Sequence, residues 1–134
     1  MKKDYHKVTI STEWKRNKTW GWNPHTVVIF QDKNDCLIGH TTGRASGCGY
    51  DKLSTAITEA LNKSEDFRKF VYKRLPKEER SKYFYKDMTL STEGRGADEI
   101  VSLFRLIGFK LMAVSHGTSY DLFCFIKSRK TSRT

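Results

Sequence analysis

The sequence is poor in cysteine and proline and contains no long apolar run. Its three cysteines, Cys36, Cys48 and Cys124, show no C-x-x-C spacing, which argues against a disulfide framework and a structural zinc site. Reduced thiols are typical of the cytoplasm, where we expect this chain to act. No stretch approaches the roughly 20 apolar residues of a membrane span, and the N-terminal residues lack the apolar segment of a secretory signal.

Acidic residues are outnumbered by basic ones. The 134 residues include 25 Lys and Arg against 15 Asp and Glu, a formal net charge of +10. The excess lies in segments 1–23, 63–86 and 127–134, whereas the rest of the chain is slightly acidic. The positive electrostatic field of such a surface favours nucleic acid or an acidic protein face as partner. Two interpretations are open, because the segments could be separate solvated faces or could meet on one basic surface.

The spacing of apolar residues predicts both strands and helices. Apolar and polar side chains alternate from Val8 to Trp14, the pattern of a strand with one buried face. In residues 51–62 the apolar side chains recur at three- and four-residue intervals, as on the buried face of a helix. The same patterns predict strands over 26–30, 36–42, 109–115 and 120–127, a helix after Ser64, a short helical turn from Pro76 to Tyr83, and a helix from about Asp98 to Gly108.

These elements predict an α+β fold. The order β-β-β-α-α-α-β-β favours a mostly antiparallel sheet of about five strands with helices packed on one face. Both faces of strand 120–127 are apolar, so we expect it to be central or covered on both sides. We expect a single domain over residues 1–127 and a flexible basic tail over 128–134.

Turns and helix ends follow from residue type. Residues 15–18 are expected to form a turn or basic loop, Asn23-Pro24 to break the chain before the second strand, and residues 32–35 to form a hairpin turn. The predicted helix ends are N-caps at Asp51 and Ser64 and a C-terminal stop at Gly108.

The glycine-rich segment 43–50 is the most distinctive loop. Gly47 and Gly49 permit backbone conformations that point N–H groups outward ahead of a helix, where anions bind. With Arg44 and Lys52 beside them, they predict an anion-binding loop. The segment matches neither the Walker nor the dinucleotide pattern. The alternative is that the glycines only let a strand turn tightly into a helix.

An alternative function centres on Cys48. A thiol at a helix N-terminus has a lowered pKa, and His40 or His116 could act as its base, which would make a small cysteine-dependent enzyme. No acidic residue that would orient the histidine is identifiable, so the leading interpretation assigns no catalytic residue. Because the histidines are dispersed and the cysteines unpaired in sequence, we predict no metal site and no cofactor.

Segments 14–22 and 80–86 interleave aromatic and basic residues. Cations hold phosphates while rings stack on unpaired bases. The same mixture suits a protein interface, and the rings could also belong to the core. The residues expected to contact nucleic acid or a partner protein are Lys15, Arg16, Lys18, Trp20, Trp22, Arg68, Lys69, Lys73, Arg74, Arg80 and Lys82.

A short part of the chain resembles known proteins. The resemblance rests on the run Ala45-Ser46-Gly47-Cys48-Gly49-Tyr50-Asp51-Lys52, on Ser54, Ala56 and Ala60-Leu61-Asn62, and on Ile107-Gly108-Phe109. These stretches look like small uncharacterised proteins of phages and mobile elements, a group of genomes that also encodes inhibitors of host defence such as anti-CRISPR proteins. The resemblance implies a phage or mobile-element origin and a location in the host-cell cytoplasm. It assigns a function to no residue of this chain.

Together these features predict a non-enzymatic binding module. Its expected partner is nucleic acid, DNA or RNA, or a nucleic-acid-handling protein complex, and inhibition of a host defence nuclease would be one such use. No membrane partner is expected.

Overall fold

Five strands and four helices are formed by the residues that the computed structural model describes, which are 4–19, 21–44, 50–91, 97–116 and 121–127. The predicted tail, 128–134, lies outside them. In chain order the elements are β1 (Lys7–Asn17), β2 (Gly21–Gln31), β3 (Leu37–Arg44), α1 (Tyr50–Asn62), α2 (Glu65–Arg74), α3 (Lys77–Tyr83), α4 (Ala97–Leu106), β4 (Phe109–His116) and β5 (Asp121–Lys127).

The strands form one sheet in the order β3-β2-β1-β5-β4. All neighbouring pairs are antiparallel, which confirms the predicted α+β fold. The described residues contain four helices rather than the three of the predicted order, because the segment after Pro76 forms a seven-residue helix instead of a single turn. As predicted, β5 is central, with β1 on one side and β4 on the other.

One face of the sheet is buried under the helices. Val8 and Ile10 of β1 and Val28 and Phe30 of β2 are buried, while the residues between them are half-buried. This alternation is the two-residue period of a strand that packs on one side. Helix α1 contacts β2 and β3, and α4 contacts β4. The opposite face of the sheet carries the half-buried residues and has no helix against it among the described elements.

Aromatic side chains fill the space between sheet and helices. The ring of Phe67 in α2 lies 4.8 Å from that of Phe30, 5.5 Å from that of Tyr5 and 6.0 Å from that of Phe104, measured between centroids. Phe104 in turn stacks on Phe125 at 4.2 Å. Burying rings of this size stabilises a fold strongly. The cluster fixes which side of α2 points inward and therefore which side reaches solvent.

Strands β1 and β2 are longer than predicted. The loop expected at residues 15–18 is wrong for its first three residues, which continue β1, and Pro24 lies inside β2, paired with Trp14. Pairing between β2 and β3 reaches only as far as His25 opposite Arg44. Beyond that point the described residues pair β2 with β1 alone, and an edge of this kind tolerates a proline, which cannot donate to a ladder.

Gly43 allows helix α1 to lie directly on β3. A Cβ at Gly43 would overlap the carbonyl oxygen of Ala56 and lie 2.9 Å from the amide nitrogen of Ala60. Earlier in the same strand, the Thr41 hydroxyl donates to the Ala60 carbonyl at 2.7 Å. The loop predicted over 43–50 was therefore too long, since its ends belong to β3 and α1. Its remaining residues lie outside the described part of the chain.

Two predicted helix ends are confirmed and one is wrong. The Ser64 hydroxyl accepts from the Phe67 amide at 3.2 Å, as an N-cap does. Gly108 has φ +98° and donates to the Arg105 carbonyl at 3.1 Å, the left-handed stop expected after α4. Helix α1, however, begins one residue before Asp51, which places that residue in the first turn rather than at the cap.

Candidate nucleic-acid interface

Helix α2 presents its basic residues to solvent. Phe67 and Val71 are buried, whereas Lys69, Lys73 and Arg74 are exposed. Lys69 forms an i,i+4 ion pair at 3.2 Å with a carboxylate one turn earlier, a contact of small energy at this exposure. Of the four outward cations that the sequence predicted for this helix, Lys69, Lys73 and Arg74 are exposed, and the fourth, Arg68, is half-buried.

Lys127, the described residue of basic segment 127–134, meets segment 63–86 at Phe70. The Arg74 guanidinium lies 4.9 Å from the centroid of the Phe70 ring, and the Lys127 ammonium lies 5.9 Å from it. Lys127 also pairs with Asp4 at 3.7 Å. Attraction between a cation and a ring face holds both groups at this point. The last residue of β5 thus extends the basic face of α2.

Arg80 joins α2 to α3. Its guanidinium carbon lies 4.5 Å from the centroid of the Tyr72 ring, and its Nη2 donates to the Lys73 carbonyl at 3.5 Å. The Nε atom is buried, and no hydrogen-bond partner is found for it among the described residues. Arg80 therefore stacks on the end of α2 and brings the first turns of α3 next to Lys73.

A shallow hollow of ≈ 500 Å³ opens beside this joint. None of the described residues that line it is acidic, and three of them are cations. Glu78 and Glu79 lie in the first turn of α3, where the helix dipole favours carboxylates, and do not belong to the lining. The lining residues are Tyr72, Lys77, Arg80, Ser81, Phe84, Tyr85, Lys86 and Met88.

Only one ring of the aromatic run 83–85 is accessible. Tyr83 and Phe84 are buried, at 1% and 7% exposure, whereas Tyr85 is 54% exposed. Met88, close to Tyr85 in the same hollow, is 43% exposed. The sequence left open whether such rings contact bases, contact a partner protein or belong to the core; Tyr83 and Phe84 belong to the core, and Tyr85 is exposed.

A tight turn holds Tyr85 in place. The Tyr85 amide donates to the Thr89 carbonyl and the Met88 amide donates to the Tyr85 carbonyl, both at 3.0 Å. Asp87 accepts from the Thr89 hydroxyl at 2.6 Å and from the Thr89 amide at 3.0 Å. These two hydrogen bonds hold the pKa of Asp87 below its ordinary value, and the one from the Thr89 hydroxyl has the larger effect. Met88 adopts φ +68°. Tyr85 and Met88 are therefore exposed side chains on a turn that is held by backbone and side-chain hydrogen bonds.

The base of this turn is tied to the end of α1. The Asn62 side-chain amide donates to the Leu90 carbonyl at 3.0 Å and accepts from the Leu90 amide at 2.7 Å. The Arg68 guanidinium donates to the Asn62 carbonyl. Arg68, predicted as a phosphate contact, is half-buried and serves the fold in this structure. These contacts fix the turn relative to α1 and α2.

We name the cationic surface around the hollow the basic corner and define it as Lys73, Arg74, Lys77, Arg80 and Lys86. Sequence reasoning selected Lys73, Arg74 and Arg80 but not Lys77 or Lys86. A signal for Lys86 was present, since the aromatic and basic run 80–86 includes it. Lys82, also predicted, lies outside the hollow, with its ammonium 5.6 Å from the centroid of the Tyr83 ring.

The predicted residues of segment 14–22 lie at the other end of the sheet. Lys7 pairs with Ile126, next to Lys127, and β1 then runs ten residues away from this point, about 33 Å at the usual rise. Of the predicted set there, Lys15 and Arg16 lie near the end of β1 and Lys18 follows that strand. Trp22 of β2 pairs with Arg16, and Trp20 lies outside the described residues. Arg16 and Lys18 are exposed. Lys127 therefore meets segment 63–86 at Phe70 and the start of segment 1–23 at Asp4, whereas residues 15–18 lie at the far end of β1.

The predicted anion-binding loop falls mostly outside the described residues. Gly47, Gly49 and the alternative nucleophile Cys48 lie in the gap between β3 and α1. Arg44 is the last residue of β3, and Lys52 belongs to the first turn of α1. The loop and the cysteine-enzyme alternative both stay predictions.

His40, one of the two bases considered for Cys48, is exposed on β3. Within the described ranges, no three His, Cys, Asp or Glu side chains gather in a way that could hold a metal ion.

Comparison with known proteins gives no relative. No protein-family model, curated protein or solved structure matches the chain. The described helices include none that is long and apolar enough to cross a bilayer, the longest being α1 with 13 residues.

Proposed function

We propose that this protein is a non-enzymatic module that binds nucleic acid through the basic corner. The observation that carries the proposal is the hollow in which Lys77, Arg80 and Lys86 line one surface with an exposed ring and without a carboxylate. Phosphate oxygens are the partners that such a set of guanidinium and ammonium groups binds best.

The arrangement extends beyond the hollow. Arg80 donates to the Lys73 carbonyl of α2, and Arg74 and Lys127 add two further cations at Phe70 of the same helix. A nucleic-acid backbone presents phosphates at regular intervals, so a row of cations binds it better than a single site would. Four phosphate contacts would weaken binding to a single strand about 50-fold between about 50 and 200 mM salt.

The test localises binding on the surface. Fluorescence anisotropy with a labelled oligonucleotide compares the wild type with the double variant Lys77→Gln/Lys86→Gln and with a control, Lys33→Gln/Lys110→Gln. All four lysines are exposed, and both variants remove two charges. We expect the first variant to bind at least about tenfold more weakly at low salt and the control to bind nearly as well as the wild type.

Equal losses in both variants would contradict binding at the basic corner, because a diffuse positive field responds to any removed charge. Absence of binding to DNA and RNA at low salt would contradict nucleic acid as the partner and favour a protein that handles it.

We further propose a biological setting, which rests on the phage or mobile-element origin expected from the sequence. In the cytoplasm of a host cell, the module would act as an anti-CRISPR-like inhibitor that occupies nucleic acid or the nucleic-acid site of a defence nuclease. A pull-down from a host extract, with and without nuclease treatment, tests this setting. Recovery of a nuclease complex supports it, and recovery of bulk nucleic acid alone contradicts it.

A further inference from the structure

The hollow of the basic corner offers more than charge. Tyr85 and Met88 are two of the largest exposed apolar side chains in the described residues, and they share one hollow with Lys77 and Lys86. Cations alone would suffice for binding a phosphate backbone. The ring and the thioether add an apolar surface at the point where the cations converge.

This apolar surface is held in a fixed position. The Tyr85 backbone makes hydrogen bonds to Thr89 and Met88, and the bridge between Phe84 and Leu90 closes the turn behind it. Leu90 is fastened to α1 by the Asn62 amide. A ring on a pre-ordered turn loses little conformational entropy when a flat ligand stacks on it.

We infer, on the basis of the proposed function, that the basic corner selects single-stranded nucleic acid and stacks an unpaired base on Tyr85. In a duplex the faces of internal bases are covered by their neighbours, so only an unpaired base can offer a face to a protein ring. Lys77 and Lys86 contact the phosphates that flank the stacked base. The thioether of Met88 lines the same hollow and contacts the base edge.

The experiment compares a labelled DNA strand about 12 nucleotides long, within the site size of single-strand-binding modules, with the blunt duplex of the same sequence. Binding is measured at about 50 mM salt, where phosphate contacts are strong, for the wild type, Tyr85→Ala, Tyr85→Phe and Lys86→Gln. Urea unfolding confirms that each variant is folded. A 2-aminopurine within the strand reports stacking through the quenching of its fluorescence.

We expect Tyr85→Ala to weaken binding of the strand at least about fivefold and to leave duplex binding unchanged. Tyr85→Phe keeps the ring and should keep both the affinity and the quenching. Lys86→Gln should weaken binding of both forms.

If Tyr85→Ala has no effect, or weakens strand and duplex equally, while Lys86→Gln weakens both, single-strand selection is overturned and phosphate binding at the basic corner stands. If neither form binds the wild type, both the inference and the proposed function are overturned.

Discussion

Asn62 is the residue whose replacement most directly tests how the site is held. Its side-chain amide makes two hydrogen bonds to the backbone of Leu90, at 3.0 and 2.7 Å. Leu90 is 1% exposed. In Asn62→Ala the Leu90 amide and carbonyl both lose these partners, and each unsatisfied group costs about 1–3 kcal/mol when buried. Because the two hydrogen bonds are only partly buried, we expect a total loss of about 2–4 kcal/mol in the free energy of unfolding.

Urea unfolding followed by tryptophan fluorescence measures this loss. The matched control is Asn34→Ala, in the exposed turn between β2 and β3, where only the backbone of Asn34 forms the hydrogen bonds described, to Asp32 and Cys36. We expect the control to change stability by less than about 0.5 kcal/mol. In Asn62→Ala the Leu90 amide should also exchange with solvent faster. A loss below about 0.5 kcal/mol with an unchanged m-value would refute the argument that these hydrogen bonds fasten the turn.

Two further predictions concern packing and ionisation. Gly43→Ala should destabilise the protein by about 3 kcal/mol or more in urea unfolding, because the new Cβ meets the backbone of α1. The control, Gly39→Ala in the same strand, has open space around its Cβ and should change stability little. Similar free energies of unfolding for the two variants would contradict the packing of α1 on β3. Thr89→Val should raise the pKa of Asp87 toward 3.8, as measured by NMR titration. Since the wild-type pKa is lowered by folding, the stabilisation from this carboxylate is present above about pH 3.8 and is lost as the pH falls through the lowered pKa; an unchanged titration in the variant would contradict the assigned cause.

Much of the fold follows from local sequence patterns. The alternation from Val8 onward and the helical spacing before Asn62 reflect burial on one side of each element, which the sequence displays directly. Ser64 and Gly108 mark helix ends by chemistry that acts within a few residues. Such features need no knowledge of distant parts of the chain.

The wrong predictions concern residues whose local structure depends on contacts with distant parts of the chain. Pro24 lies in a part of β2 that pairs, among the described residues, with β1 alone, and neighbouring residues do not encode this sheet pairing. The glycine-rich composition predicts a loop at Gly43, whereas in the structure Gly43 lies in β3 and permits close contact with α1. In both cases the residue type was interpreted by its commonest local use.

In the candidate site, too, some features follow from local sequence and others depend on distant contacts. Sequence reasoning identified the basic helix α2 and the aromatic run that follows it. It did not identify which ring is exposed, because the burial of Tyr83 and Phe84 and the exposure of Tyr85 depend on what packs against each ring. The meeting of Lys127 with Arg74 at Phe70 joins residues far apart in the chain. Lys77 gained significance only when the hollow placed it near Lys86.

The most direct test of the central claim is the salt dependence of nucleic-acid binding by the wild type and by the triple variant Lys73→Gln/Lys77→Gln/Lys86→Gln. For a single strand, the slope of log K against log salt changes by about 0.7 for each phosphate contact removed, so the variant's slope should be shallower by about 2. A variant that binds with the wild-type slope would contradict the account, because the basic corner would then hold no phosphates.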